Sequence, residues 1–243
     1  MRTINAGSLD KIGPSTLAAI YSSDQSSMFR TNMVVSANGS FVDDNGSSRL
    51  LSGPEDMRVF NFLRSQADVV LVGASTAQSE KYGQINIRDE FVEFARKIKP
   101  QLAVVSLSLD LWSGARMFNE PGFQPLIFTR ASDDEVWQNR FEHLRGFADV
   151  VALSAPDDTF LNSVVLDLGQ RDLTHVLCEG GPRLLSSVLA ADLVDDVCLT
   201  QSNIASKRPP DEDLLSALSA FETQYEIITE QFTFSRSFAP ENA

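Results

Sequence analysis

The sequence predicts an α/β protein: a mixed, mostly parallel central sheet with flanking helices and an antiparallel C-terminal edge. Two observations carry this. Between residues 29 and 190, short apolar runs rich in Val, Leu and Ile alternate with segments whose apolar residues recur at helical spacing. That alternation is the order of a parallel sheet with helical crossovers. Residues 194–201, 225–229 and 232–238 then read as three closing strands, the last two divided only by Glu230-Gln231. That gap is short enough for a hairpin.

The elements follow in order. Residues 1–28 are Ser/Thr/Asp-rich and weakly patterned, and read as an N-terminal arm with a short helix after Pro14. Residues 29–36 form the first core strand, followed by the turn Ala37-Asn38-Gly39, a short return strand at 40–43 and a loop at 44–48. Ser52-Gly53-Pro54-Glu55-Asp56 is a helix start: a hydroxyl near the cap, proline in the first turn, and acids where the helix dipole favours them. Val59, Phe60, Leu63 and Ala67 make its buried stripe. Arg64 falls one residue beyond, placed either to line a cleft or to bury its stem at the boundary. Residues 69–72 form a strand ending at Gly73, and 75–79 a short helix. Helices are expected at 91–98, 134–144 and 160–168, and strands at 102–107, 126–129 and 148–153. With no repeat and no long linker, residues 29–243 read as one domain behind the arm.

The most informative stretch is Val176-Leu-Cys-Glu-Gly-Gly-Pro-Arg-Leu-Leu185. An apolar strand ends in an acid, Glu179. Gly180 and Gly181 lack Cβ atoms, so the backbone can turn sharply and approach a ligand. Pro182 suits the first helical position. N–H groups at such a helix start favour an anion, and the pattern suits a phosphate or an ordinary strand-to-helix turn. Glu179 favours the first, because an acid at a strand tip is rarely needed for packing. Gly73-Ala74-Ser75-Thr76 is a second loop of this type, in which Thr76 could equally serve as a cap. Neither a Walker A pattern nor Gly-x-Gly-x-x-Gly occurs, which argues against a standard dinucleotide fingerprint.

A net charge of −13 over 243 residues argues against nucleic acid or an anionic membrane as partner. A phosphorylated ligand would then need cations gathered locally, with Arg49, Arg64, Lys81, Arg130, Arg183, Lys207 and Arg208 as candidates. Cys178 and Cys198 lie in apolar runs and read as buried thiols. His143 and His175 have no companion at ligand spacing, so no metal site is expected. No apolar run approaches the ~20 residues of a membrane helix, and the start is not a secretory signal. A cytoplasmic protein is expected.

Together, Ser48 to Phe60, Leu63-Arg64, Ala67 to Thr76 and Cys178 to Leu185 resemble the reductase domain of riboflavin biosynthesis. The chain is most similar to its stand-alone actinobacterial-type pyrimidine reductases. The resemblance covers roughly residues 29–238. It implies a dihydrofolate-reductase-like fold, NADPH as cofactor, a homodimer, and reduction of a ribosylamino-pyrimidinone phosphate or a related pteridine-type molecule. By position it assigns Val35, Leu50, Thr76, Glu80, Ser106, Gly180, Gly181, Pro182, Arg183 and Leu184 to the cofactor, and Gly73, from the second glycine loop, is a further cofactor candidate. It assigns Ser48, Arg64 and Glu179 to the substrate, and residues 106–108 to the adenosine 2′-phosphate. Glu179 and Asn38 are the catalytic candidates. Two departures stand out. The family's Ser-x-Asp-Gly is here Ser36-Ala37-Asn38-Gly39, and a usual glycine pair after residue 201 is replaced by Asn203 to Pro210. An NADP-binding protein without turnover, or a dihydrofolate-reductase-like activity, fits the same motifs.

Overall fold

The computed structural model describes residues 1–240. Ten strands form one sheet: β1 (Arg2–Gly7), β2 (Met28–Val35), β3 (Val69–Gly73), β4 (Gln101–Val105), β5 (Leu126–Arg130), β6 (Asp149–Leu153), β7 (His175–Cys178), β8 (Asp196–Ser202), β9 (Glu222–Thr229) and β10 (Phe232–Phe238). Their order across the sheet is β1-β9-β10-β8-β2-β7-β3-β4-β5-β6. Every neighbouring pair is parallel except those made by β10, which runs against both β8 and β9. The predicted hairpin is therefore present, but β1, pairing parallel with β9, forms the outer edge beyond it.

Among the described residues seven α-helices cover the faces: α1 (Pro14–Tyr21), α2 (Pro54–Ser65), α3 (Ala74–Ser79), α4 (Glu135–Leu144), α5 (Phe160–Gln170), α6 (Pro182–Ala190) and α7 (Glu212–Leu218). The alternation of β3 shows why both faces must be covered. Val70 and Val72 join one core cluster with α1 and α2, whereas Val69 and Leu71 join another with α5 and α6. A central parallel strand is apolar on both sides for this reason. The chain runs outward from β3 to β6, then returns so that β7 fills the slot between β2 and β3. This reversal sets the carboxyl ends of β2, β7 and β3 side by side, where open α/β sheets bind ligands.

Four local expectations are revised. The first 28 residues are not a loose arm: they supply β1, and Leu9, Leu17, Ile20 and Tyr21 are buried in the core. The sequence signal was weak because β1 is largely polar and at an edge. Residues 40–43 are irregular, with bends at 41 and 42, and not a strand; Ser36 N–H donates to the carbonyl of Ser40, which closes a tight loop. The expected helix at 91–98 is a 3-10 turn over Asp89–Phe94. Phe60 is not in the buried stripe of α2; Val59, Phe62 and Leu63 are.

Candidate active site

A cleft of about 670 Å³ opens between the end of β2, one face of α2, α3 and the loop at 81–85. The helical repeat places Asp56, Phe60 and Arg64, each four residues apart, on the cleft face of α2. The core-facing residues 59, 62 and 63 occupy the other side. Phe60 thus turns from the core to the cleft, where it lies under the Arg64 guanidinium at 4.0 Å from its ring centroid.

Glu179 follows the last residue of β7 and is only 6% exposed. Arg64 holds it through two parallel bonds, Nε to Oε1 and Nη2 to Oε2, both 2.7 Å. The Tyr82 hydroxyl donates to Oε2 at 2.6 Å. Such bidentate contacts to a buried carboxylate are strong and fix geometry. Burial opposes the charge on Arg64, but Glu179 outweighs it and raises the guanidinium pKa. Tyr82 is raised well above the usual phenol range, by burial first and by the charge of Glu179 second. Both remain protonated at neutral pH. Together they are a rigid charged wall, anchored by helix, loop and strand end.

Asp56 also lines the cleft and is 6% exposed. Ser52 Oγ donates to its Oδ2 at 2.5 Å. Burial raises its carboxyl pKa, against the lowering effect of Ser52 and Thr200. From the sheet, Asn32 of β2 lines the same cleft at 8% exposure.

The two glycine loops touch. Gly73 N–H donates to the carbonyl of Gly180 at 2.8 Å, and Gly181 N–H donates to Thr76 Oγ1 at 3.0 Å. Gly180 has a φ of +75°, and a Cβ there would meet Met33 Sδ at 2.7 Å. A Cβ on Gly181 would meet Thr76 Oγ1 at 2.8 Å. The first turn of α6 has no side-chain cap, so the N–H groups of Arg183 and Leu184 have no partner within the helix. Beyond the ends of β4 and β5 lies a second hollow of about 330 Å³, lined by Leu107, Ser108, Arg130 and Arg140 among others.

The structure therefore brings Ser48, Arg64, Thr76, Glu80 and Glu179 to one cleft, with Gly73, Gly180 and Gly181 beside it. Glu80 is held by Arg49 Nε at 2.7 Å and Ser47 Oγ at 3.2 Å. The Ser106 hydroxyl, at the end of β4, is buried without a partner among the described residues. The side chains of Val35 and Leu184 are packed into the core, so only their backbones could meet a ligand. Pro182 begins α6 and Arg183 is exposed there. Leu50 is 56% exposed and outside the cleft.

Asn38 is not brought to the cleft, which corrects its place among the catalytic candidates. Its Oδ1 accepts from Ser206 N–H at 2.8 Å and Ser36 Oγ at 3.0 Å, and its Nδ2 donates to the Arg208 carbonyl at 3.0 Å. The turn after β2 is thereby tied to the loop after β8. The two departures from the family pattern are one contact. Asp56, Asn32, Tyr82, Arg88 and Arg116 were missed as site residues. Only Asp56 carried a signal, its spacing of eight from Arg64; the others arrive from loops and strand packing.

The cleft lies at the carboxyl ends of adjacent strands, where open α/β sheets bind ligands. The chain belongs to the family described as the RibD C-terminal domain, which matches residues 28–205. It is 22% identical over 170 residues to the 2,5-diamino-6-ribosylamino-4(3H)-pyrimidinone 5′-phosphate reductase of Archaeoglobus fulgidus, covering 68% of this chain and 75% of that protein. Among solved structures, a pyrimidine reductase-like protein from Corynebacterium diphtheriae superposes with a TM-score of 0.76 at 24% identity, over 93% of this chain and 95% of the other. A deaminase/5-amino-6-(5-phosphoribosylamino)uracil reductase from Thermotoga maritima gives 0.68 at 19%, over 88% of this chain and 56% of the other. At these identities the structures establish a shared fold.

Proposed function

We propose that the protein is an NADPH-dependent reductase of a phosphorylated pyrimidine- or pteridine-type small molecule. The observation that carries this reading is the meeting of the two glycine loops at the ends of β3 and β7, beside a cleft walled by Arg64, Tyr82 and Glu179. The residues present suit the cofactor. Unpartnered N–H groups of Arg183 and Leu184, together with Gly180, Gly181 and Thr76, would hold its pyrophosphate. The buried, unpartnered Ser106 hydroxyl offers a further hydrogen bond. Arg130, Arg140 and Ser108 line the hollow suited to the 2′-phosphate. When bound, NADPH would supply a hydride to an electron-poor carbon of the substrate.

The chain's own residues then bind and orient. Arg49, Arg64 and Arg116 are paired with Glu80, Glu179 and Glu120. Lys81 and Arg88 make no ion pair among the described residues and face the cleft, where they would hold a substrate phosphate. In a protein of net charge −13 this local excess of cations is informative. Ser48 and the Glu179 carboxylate would position the sugar. Glu179 already accepts three charge-assisted bonds, so it serves better as a fixed acceptor than as a proton carrier. We extend the proposal to a homodimer acting in the cytoplasm. Among the described residues no helix is long and apolar enough to cross a membrane.

Calorimetric titration with NADPH and NADH, followed by NADPH absorbance with the ribosylamino-pyrimidinone phosphate and with dihydrofolate, tests the reading. Tighter binding of NADPH and its oxidation by one of these substrates are expected. Equal affinity for the two cofactors would remove the 2′-phosphate site. Binding without oxidation would favour the turnover-free alternative.

A further inference from the structure

We propose that Glu120 is a positioning residue: through the backbone of Gly83 and Gln84 it seats Tyr82 on Glu179 and so fixes one wall of the cleft. The inference deepens the reductase reading and rests on that cleft being the substrate site. Glu120 does not itself line the cleft. It stands just after a 3-10 turn at Arg116–Phe118, in the connection from β4 to β5. Met117 and Phe118 are buried in the core, which makes this turn a firm base. From it the carboxylate reaches residues 83–84. Its Oε2 accepts from the Gln84 N–H, and its Oε1 accepts from Arg116 Nε at 2.6 Å. Partial burial opposes the charge, but these donors outweigh it and hold the Glu120 carboxyl below its usual range.

The segment it holds has little else to hold it. α3 ends in a Schellman turn: Lys81 N–H donates to the carbonyl of Gln78 at 3.2 Å, and Tyr82 N–H to that of Ala77 at 2.9 Å. The left-handed position of that turn is usually glycine, yet here it is Lys81, with a φ of +57°. Such strain persists only where the surroundings over-determine the backbone. Past Tyr82, Gln84 has the only bonded N–H of residues 83–85 among the described residues. Ile85 then enters the core. Between the end of α3 and that point, Glu120 supplies the one long-range bond to the backbone among the described residues.

Gly83 is what lets the clamp close. It is buried, and its backbone is not in the left-handed region, so conformation alone does not require glycine. Space does: a Cβ would meet Glu120 Oε2 at 2.7 Å and Arg116 Nε at 2.8 Å. The neighbouring Tyr82 hydroxyl supplies one of the three bonds that fix Glu179. A shift of residues 83–84 therefore draws Tyr82 off Glu179 and displaces Lys81 with it. Glu120 touches no reacting atom; it aims two residues that line the cleft.

Two variants of the full chain test this. Glu120→Ala removes the clamp. Gly83→Ala keeps Glu120 but drives its carboxylate off the Gln84 N–H. The atoms it displaces are the ends of flexible side chains, so the fold is expected to be retained. NMR of the tyrosine Cζ, with Tyr82 identified by Tyr82→Phe, reads the phenol, and amide exchange reads Gln84. In both variants the Gln84 N–H is expected to exchange at least about tenfold faster, the loss of one hydrogen bond to a charged group. Tyr82 is expected to ionise at lower pH than in the wild type, because it leaves the buried contact with Glu179. Ribose 5-phosphate, the probe of the cleft, is expected to bind about tenfold more weakly by calorimetry, with NADPH affinity unchanged. An unmoved Tyr82 signal in both variants overturns the proposal, as does unchanged affinity for ribose 5-phosphate. A parallel loss of NADPH affinity would mark general disruption and overturns it too. If Glu120→Ala does not fold, Gly83→Ala decides alone. A wild type that does not bind ribose 5-phosphate would count against the cleft as the substrate site, while Tyr82 still reports on the clamp, so the two claims fail separately.

Discussion

At the scale of single residues, Asn38 shows how a side chain can be spent on structure. Its amide satisfies one carbonyl and two donors at once, joining the turn after β2 to residues 206–208. Only a group with both a donor and an acceptor can do this. In Asn38→Asp the two accepting contacts survive, but a carboxylate oxygen faces the Arg208 carbonyl where an N–H stood. Because the site is solvent-accessible, the expected loss is modest, roughly 1 kcal/mol. Chemical denaturation of the two forms measures it. Catalytic rate should not rise, since the residue does not line the cleft; a clear gain would restore Asn38 to the chemistry. Glu179 is the opposite case. The sequence placed an acid at a strand tip, and the fold surrounds it with Arg64 and Tyr82, so its charge serves geometry.

At the scale of elements, the contact between the β3–α3 and β7–α6 turns is the joint on which the site depends. Gly181 has space for a hydrogen but not for a methyl group, because Thr76 Oγ1 already receives its N–H. Gly181→Val must therefore push the two turns apart. The core strands β3 and β7 lie below this joint and retain their pairing. We expect a folded protein, by circular dichroism, whose NADPH affinity falls at least about tenfold, the effect of misplacing one or two charge-assisted bonds. Normal affinity in a folded variant would show that the pyrophosphate lies elsewhere. Both turns were legible in the sequence, because glycine and proline mark backbone geometry locally. Their contact was not, since about 100 residues separate them.

At the scale of the whole molecule, a buried charge cluster fastens the N-terminal segment to the sheet. Asp196 is fully buried between Arg30, at 2.5 Å, and Arg236, at 2.9 Å. One carboxylate against two guanidiniums leaves a positive charge unmatched. The carbonyls at the end of α1 answer it: Arg30 donates to Tyr21 O at 2.7 Å, and Arg236 to the carbonyls of Ile20 and Ser22. These lie at the negative end of the helix dipole. Four elements, α1, β2, β8 and β10, meet in this way. Asp196→Asn would leave two buried cations without a counter-charge, and a loss of about 3–5 kcal/mol is expected. Urea unfolding tests this, and an unchanged midpoint would show that the carbonyls alone are sufficient.

The sequence by itself determined the alternation of strands and helices, the three closing strands, the two glycine turns and the acid at the strand tip. All of these follow from local geometry: side-chain periodicity, the missing Cβ of glycine and the fixed φ of proline. Tertiary structure alone decided the rest. It put β7 between β2 and β3, turned the unpromising N-terminal residues into an edge strand and a buried helix, and directed Phe60 to the cleft instead of the core. It also spent Asn38 on a distant loop and buried Asp56 at the wall of the cleft. Each of these depends on partners far away in the chain, and the burial and hydrogen-bond needs of a side chain are set by its neighbours in space.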